Sequence, residues 1–375
     1  MEQRDRGRRD LSQREDVQSS NADFQLILEK HGPTEFVGYE MNEASAEVLF
    51  IDGASIILDR SPFYAEAGGQ VGDRGIVEGE NGSAYIEDTV YGAVGQHRQI
   101  IGSTSGELKP GDKVVATIDK SHRLAVQRHH TGTHLLHWAL REVLGDHVKQ
   151  QGSWVGAERL RFDFSHYEPL TNEQIERVED LANAEIFSSG EMEIIQTSMQ
   201  EAKKMGAIAF FGDKYGDEVR VLRAGENSIE LCGGTHVSHL GDVGPVKILS
   251  EGSIGSNIRR IEAVAGPASV GLLREQDAVI GQTADLIGVP PANLLEGLEK
   301  KLREIEELQN ELEGLRELAA RQNIQELKGT SVDGIIVQRL DGIRRDELRD
   351  LVMGLQAVPE VEVAVVGSAT ENGGV

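Results

Sequence analysis

At 375 residues the chain can form roughly two or three domains with cores of their own, and its 39% hydrophobic content is that of a globular protein. It contains no apolar run of about 18 residues, which excludes a membrane-spanning helix. The charged opening Met1-Glu2-Gln3-Arg4-Asp5-Arg6 lacks the apolar core of a secretory signal, so the expected location is the cytoplasm.

The net charge of −25, taken as a sum, argues against a nucleic-acid partner. Local field matters more than the sum. Acidic residues crowd Glu296 to Glu317, whereas Lys120, Arg123, Arg128, Arg141, Lys149, Arg159 and Arg161 enrich residues 120–161 in positive charge. The one cysteine, Cys232, excludes an internal disulfide. It is left as a small buried hydrophobe, a metal ligand or a reactive thiol.

Residues 1–20 are polar and charged without apolar periodicity, and read as a helix end or a disordered lead-in. From 22 to 118, β-branched runs at 46–51, 54–58 and 113–118 alternate with Asp52-Gly53, Gly68-Gly69, Gly72 and Asn81-Gly82. Short strands with such turns predict a small β-barrel or sandwich. The pattern changes near Ser121. Leu135, Leu136, Trp138, Ala139, Leu140 and Val143 recur at helical spacing and predict a helix over 125–144.

A second helix is predicted over 172–188, where Ile175, Val178, Leu181, Ala182 and Ile186 form a stripe behind the capping-box pattern Thr171-Asn172-Glu173-Gln174. Strand-like runs follow at 193–195, 218–222 and 245–249, which makes this an α+β domain ending near Gly266. From Asn293 to Gln322, Leu298, Leu302, Ile305, Leu308, Leu312 and Leu315 recur at threes and fours. That is a helix built to pair along one seam. Beyond Gly329, strands at 334–337 and 361–366 flank a further helix, and the chain stops shortly after, as a domain cut short would.

Two patterns can carry chemistry. In His130-Thr131-Gly132-Thr133-His134, expected at the start of a helix, the i and i+4 imidazoles project from one face and can chelate one ion. In Cys232-Gly233-Gly234-Thr235-His236, the Gly-Gly turn lets a strand-end cysteine fold back toward a histidine. Brought together they offer three imidazoles and a thiolate, a donor set that suits zinc. His122, His129, His137 and His239 are taken as non-ligands, and Thr131 in place of a glutamate excludes the HExxH metalloprotease pattern. Four protein ligands make a closed site, usually structural, whereas chemistry needs a displaceable position. Cys232 is therefore either the fourth ligand or a close neighbour.

The run from Arg60 to Asp73, containing Gly68-Gly69-Gln70, resembles a signature of alanyl-tRNA synthetases. So do His130 to His134, Arg161-Phe162-Asp163-Phe164-Ser165, Glu230-Leu231-Cys232-Gly233-Gly234-Thr235-His236 and Arg259-Arg260-Ile261-Glu262-Ala263, in the family's order. The resemblance covers essentially the whole chain. It implies a lead-in at 1–21, a β-barrel at 22–120, a zinc-dependent editing domain at 121–266, a coiled-coil arm at 267–328 and the start of an α/β C-terminal domain at 329–375.

The family's ATP-dependent aminoacylation domain and its helical tRNA-recognition domain would be missing, and ATP with them. The implied activity is hydrolysis of seryl- and glycyl-tRNA(Ala). The implied partners are tRNA(Ala) and its mischarged forms, with self-association through the arm and C-terminal domain and no membrane. By resemblance, one Zn2+ sits on His130, His134, Cys232 and His236, Thr133 and Gln150 shape the pocket near the seryl hydroxyl, and Thr133, Gln150 and Cys232 make up the catalytic set. Arg259 and Arg260 meet tRNA phosphates or the terminal adenosine, while Gly68 and Gly69 serve a turn or touch substrate. A free-standing editor acting in trans, and a zinc-stabilised tRNA-binding module without catalysis, remain the alternatives.

Overall fold

The computed structural model describes residues 24–208, 218–341, 343, 345–370 and 373–374; the lead-in expected at 1–20 lies outside them. The fold is α+β, in two compact units, Met1–Arg274 and Glu275–Val375.

In the first unit a helix at 24–31 (α1) sets Phe24 against Ile57 and Ala93. β1 (Glu35–Phe36) pairs in parallel with β4 (Arg60–Ser61). Six antiparallel strands close a barrel in the order β2 (Glu43–Ile51), β3 (Ser55–Leu58), β7 (His97–Gly106), β6 (Gly82–Tyr91), β5 (Gly75–Gly79) and β8 (Lys113–Ile118). Pairing of β2 with β8 completes the ring and leaves no free edge, which decides for barrel over sandwich. In β2 and β8 buried and exposed residues alternate, as a sheet with one wet face requires, and Val48, Ile86, Val114 and Ile118 fill the interior.

Asp119 begins α2 (Lys120–Leu144) by accepting from the backbone N–H groups of Ser121 and His122. The helix therefore starts five residues before the expected 125, and His130 and His134 lie in its middle rather than at its start. Antiparallel strands in the order β14 (Val246–Gly255), β15 (Ile258–Ala265), β10 (Leu160–Ser165) and β9 (Gln150–Val155) form a sheet. Leu135, Leu136 and Leu140 of α2 share a core with Phe162, Phe164 and Ile261 of that sheet, and each fully buried side chain of this kind stabilises by about 1.5–3 kcal/mol. α3 (Asn172–Phe187) has its capping box, Thr171 to Gln174, formed in both directions.

A second small sheet runs β11 (Met192–Ser198), β12 (Glu218–Ala224), β13 (Ser228–Leu231), with α4 (Met199–Lys204) against it. β13 ends one residue before Cys232.

Arg123 ties α2 to the barrel. Its Nε donates to Asp73 Oδ1 (2.9 Å), and its terminal nitrogens donate to Gly38 O (2.6 Å), Pro62 O (2.9 Å) and Asp73 Oδ2. Both side chains are buried. Arg123 thus leaves the set of surface charges that made 120–161 look basic.

α5 (Pro267–Ile287) follows the sheet and ends at Gly288, whose φ of 78° breaks the helix ahead of Pro290-Pro291. In the second unit α6 (Leu294–Lys328) extends beyond the expected 322. β16 (Ile335–Arg339) and β17 (Val363–Gly367) pair in parallel, joined by α7 (Arg345–Gln356), with a core of Leu327, Ile336, Leu351, Leu355 and Val361. No helix of the described residues is long and apolar enough to cross a membrane.

Candidate metal centre and substrate cavity

His130 and His134, one helical turn apart on α2, meet the loop after β13. The possible ligand atoms of His130, His134, Cys232 and His236 all lie within 4.8 Å of one another. Cys232 Sγ stands 3.4 Å from His130 Nε2 and 3.3 Å from His236 Nε2. The loop can fold this tightly because residue 234 is glycine; a Cβ there would lie 2.1 Å from His130 Cε1. Arg220 of β12 donates to Cys232 O (2.8 Å) and Gly234 O (2.9 Å), and Tyr39 of the barrel donates to Gly233 O (2.6 Å).

Each clustered imidazole has its other nitrogen engaged. His130 Nδ1 meets Gln70 Oε1 at 2.7 Å, His236 Nδ1 meets Thr131 Oγ1 at 3.2 Å, and His134 Nδ1 meets Glu230 Oε2. Glu230 also accepts from His137 Nδ1 (2.8 Å). Burial opposes the charge on Glu230, but the His134 and His137 imidazoles outweigh it and hold the carboxyl down to about 2. Burial likewise opposes a thiolate at Cys232, and the imidazoles of His130, His236 and His134 outweigh it, so its pKa lies well below the ordinary thiol value. Held imidazoles around an ionisable thiol could bind a metal ion.

His130, His134 and Cys232 face a cavity of about 590 Å³. Tyr39, Gly68 and Gly69 line it from the barrel side, and Thr133 of α2 and Gln150 and Ser153 of β9 line it from the other. Thr133 donates its hydroxyl to His129 O (2.8 Å), so toward the cavity it can only accept. Gln150 opens β9, and its amide donates to Ser153 Oγ (3.2 Å). Gly68 and Gly69 have φ of 59° and 83°, the conformation of a tight hairpin turn, and a Cβ at Gly69 would lie 2.5 Å from Ser153 O. The turn therefore requires glycine and walls the cavity as well.

Arg259 and Arg260 lie on β15, outside the cavity lining. Each guanidinium pairs with a carboxylate, Arg259 with Glu251 and Arg260 with Asp163. His129 turns away to Gly156 O (2.9 Å), and His122, His137 and His239 lie outside the cluster.

A family model described as threonyl and alanyl tRNA synthetase second additional domain matches residues 219–262, which include Cys232 and His236. Another, for class II (A) tRNA synthetases, matches residues 1–122. An alanine–tRNA ligase of Acetivibrio thermocellus is 41% identical over 359 residues, covering 90% of this chain and 41% of the relative. Those of Pelotomaculum thermopropionicum and Polynucleobacter asymbioticus are 38% and 39% identical, over 99% and 90% of this chain and 44% and 40% of theirs. Over the length it spans, the chain belongs to the alanine–tRNA ligase family. It spans about two fifths of the length of these relatives.

Within this alanine–tRNA ligase portion, the residues that sequence reasoning passed over are the ones that hold the clustered histidines. Gln70, Glu230 and Thr131 are buried polar side chains, each in contact with a clustered histidine. A signal was present: all three sit inside the motifs that carried the resemblance, Gln70 after Gly68-Gly69, Thr131 between His130 and Gly132, and Glu230 two residues before Cys232.

Proposed function

We propose that this portion of the ligase hydrolyses the ester bond of mischarged seryl- and glycyl-tRNA(Ala) beside a Zn2+ ion. The observation that carries the proposal is the His130–His134–Cys232–His236 cluster at the wall of a cavity roomy enough for an aminoacylated nucleotide end. The chemical need is plain. A pocket for alanine rejects glycine or serine by only about 1–3 kcal/mol, so a second site must remove the wrong product.

His130, His134 and His236, each with Nδ1 engaged, would hold zinc through Nε2, and Cys232 through its thiolate. Bound there, zinc supplies Lewis-acid chemistry. Thr133 faces the cavity as an acceptor and suits a seryl hydroxyl, which donates. Gln150, on the same wall, would help shape the pocket.

With both guanidinium groups tied to carboxylates, Arg259 and Arg260 suit the edge of a tRNA contact better than the reacting centre. The partner on this reading is tRNA(Ala), in the cytoplasm. ATP-dependent activation of alanine, on this reading, belongs to the whole ligase. Self-association is supported by the exposed leucines of α6.

Deacylation of Ser-tRNA(Ala) and Ala-tRNA(Ala) by the purified chain tests this. Serine should be released preferentially, and a chelator should stop the reaction until zinc is returned. Equal rates on both substrates, or indifference to the chelator, would overturn the proposal.

A further inference from the structure

Gln70 comes from the barrel, yet its amide is buried against the metal-binding loop of the other domain. It makes three contacts there. The backbone N–H of Thr235 donates to Gln70 Oε1 at 2.9 Å, Gln70 Nε2 donates to Thr235 Oγ1 at 2.9 Å, and His130 Nδ1 lies 2.7 Å from the same Oε1.

These contacts fix more than position. A backbone N–H can only donate, so the group facing Thr235 N must be the oxygen of the amide, not its NH2. That oxygen has two lone pairs. One takes Thr235 N–H, and the other faces His130 Nδ1, which must then carry a proton. A neutral imidazole with hydrogen on Nδ1 has its lone pair on Nε2, the atom that stands 3.4 Å from Cys232 Sγ. The proton position on His130 is thus dictated, through one glutamine, by a peptide N–H four residues after Leu231.

We propose that Gln70 is the positioning residue of the metal centre. It holds His130 in the tautomer that presents Nε2, pins Thr235 between Cys232 and His236, and makes barrel docking a condition for a metal-competent site. The inference rests on the zinc reading above and deepens it, because the ligands on α2 and the loop are completed by a residue from a domain that supplies none of them. Gly69, which precedes Gln70, is bound into the same arrangement: Val155 N–H donates to Gly69 O at 2.7 Å and holds the turn against β9.

Gln70→Leu and Gln70→Glu separate the roles. Leucine fills the space but accepts nothing. Glutamate keeps an acceptor for Thr235 N–H and for His130, and the Thr235 hydroxyl can turn to donate to it. Zinc affinity, measured on the whole chain by competition with a chromophoric chelator, should fall about 10–100-fold in Gln70→Leu. It should stay within about threefold of the parent in Gln70→Glu.

Nitrogen-15 spectra of the histidine-labelled, metal-free chain should show His130 protonated on Nδ1 in the parent and in Gln70→Glu, with that signature lost in Gln70→Leu. A purely packing role predicts that thermal stability changes while tautomer and zinc affinity do not. Unchanged zinc affinity in Gln70→Leu, or equal losses in both variants, would overturn the inference. A parent chain that binds no zinc but shows the fixed tautomer would remove the zinc reading and leave the positioning of His130 intact.

Discussion

α2 and α6 are both long helices with leucines at threes and fours, and they differ in what surrounds them. From His129 to Leu140, α2 is buried at every position but Trp138. On α6 only Gly297 and Leu327 are buried, and Leu302, Leu308 and Leu315 are more than half exposed. Helical spacing places residues on a face without saying what covers it. Enclosure makes the difference legible as chemistry. A buried polar group must find a partner, so every histidine in the middle of α2 points to an identifiable neighbour, whereas an exposed leucine demands none. If this contrast is sound, substitutions around α2 should be costly through the partners they strand, and substitutions on the α6 seam should leave the fold almost untouched.

The largest loss is expected for Arg123→Leu. It leaves the Asp73 carboxylate buried without its cation and frees the carbonyls of Gly38 and Pro62. Breaking a buried ion pair from one side costs about 3–5 kcal/mol. Urea unfolding of the chain should show a lowered midpoint of that size, followed by the tryptophan signal of Trp138 and Trp154. A change below about 1 kcal/mol would mean that the barrel and α2 are held together by something other than this pair.

Glu230→Gln should cost less, about 1–3 kcal/mol, with a larger effect on the metal. An amide has one acceptor oxygen for two imidazoles, so either His134 or His137 must move its proton to Nε2. Zinc affinity should fall about 10–100-fold in a chelator competition. The sign with pH follows from the depressed carboxyl. Against an ordinary value of 4.5, Glu230 titrates at about 2. Its contribution to stability is therefore fully present above about pH 4.5 and is lost as pH falls toward 2. In Glu230→Gln that part of the acid dependence should vanish, and acid titrations of both proteins at matched ionic strength will show whether it does. His134→Ala is a poorer test of catalysis than its place in the motif suggests, since it also strips Glu230 of a partner.

The same contrast explains what was legible beforehand. The helix at 172, the cap at Thr171 and the strand pattern of the barrel were readable because local spacing and caps determine them. The approach of Cys232 to His236 was readable because the Gly233-Gly234 pair lets the chain fold back, and at 234 a Cβ would lie 2.1 Å from His130 Cε1. Gln70 was legible only as part of a family motif, because its partners lie 60 and 165 residues away and local spacing says nothing of contacts at that distance. The basic character assigned to 120–161 shrank for a related reason: Arg123 is a charge in sequence, and in the fold it is half of a buried pair. The start of α2 was placed too late because residues 120–123 are polar, so apolar spacing is silent where Asp119 caps the helix.

The smallest effect on folding is expected on the other side of the comparison. Leu308 is 63% exposed, and on an α6 with no other covering its replacement by lysine removes little buried apolar area. Surface changes of this kind stay within about 0.5 kcal/mol, and lysine is as good a helix former as leucine. Urea unfolding of Leu308→Lys should therefore match the parent. Association is a separate quantity. If the seam pairs with a second copy, a charge in its middle meets the same charge on the partner, and sedimentation at increasing concentration should show a loss of dimer in Leu308→Lys while the unfolding midpoint at low concentration stays fixed. A parent chain that sediments as a monomer throughout would leave the leucines of α6 without a homotypic partner. A Leu308→Lys chain that loses several kcal/mol in the monomer would show that α6 is covered by its own chain, and the contrast with α2 would then be one of degree.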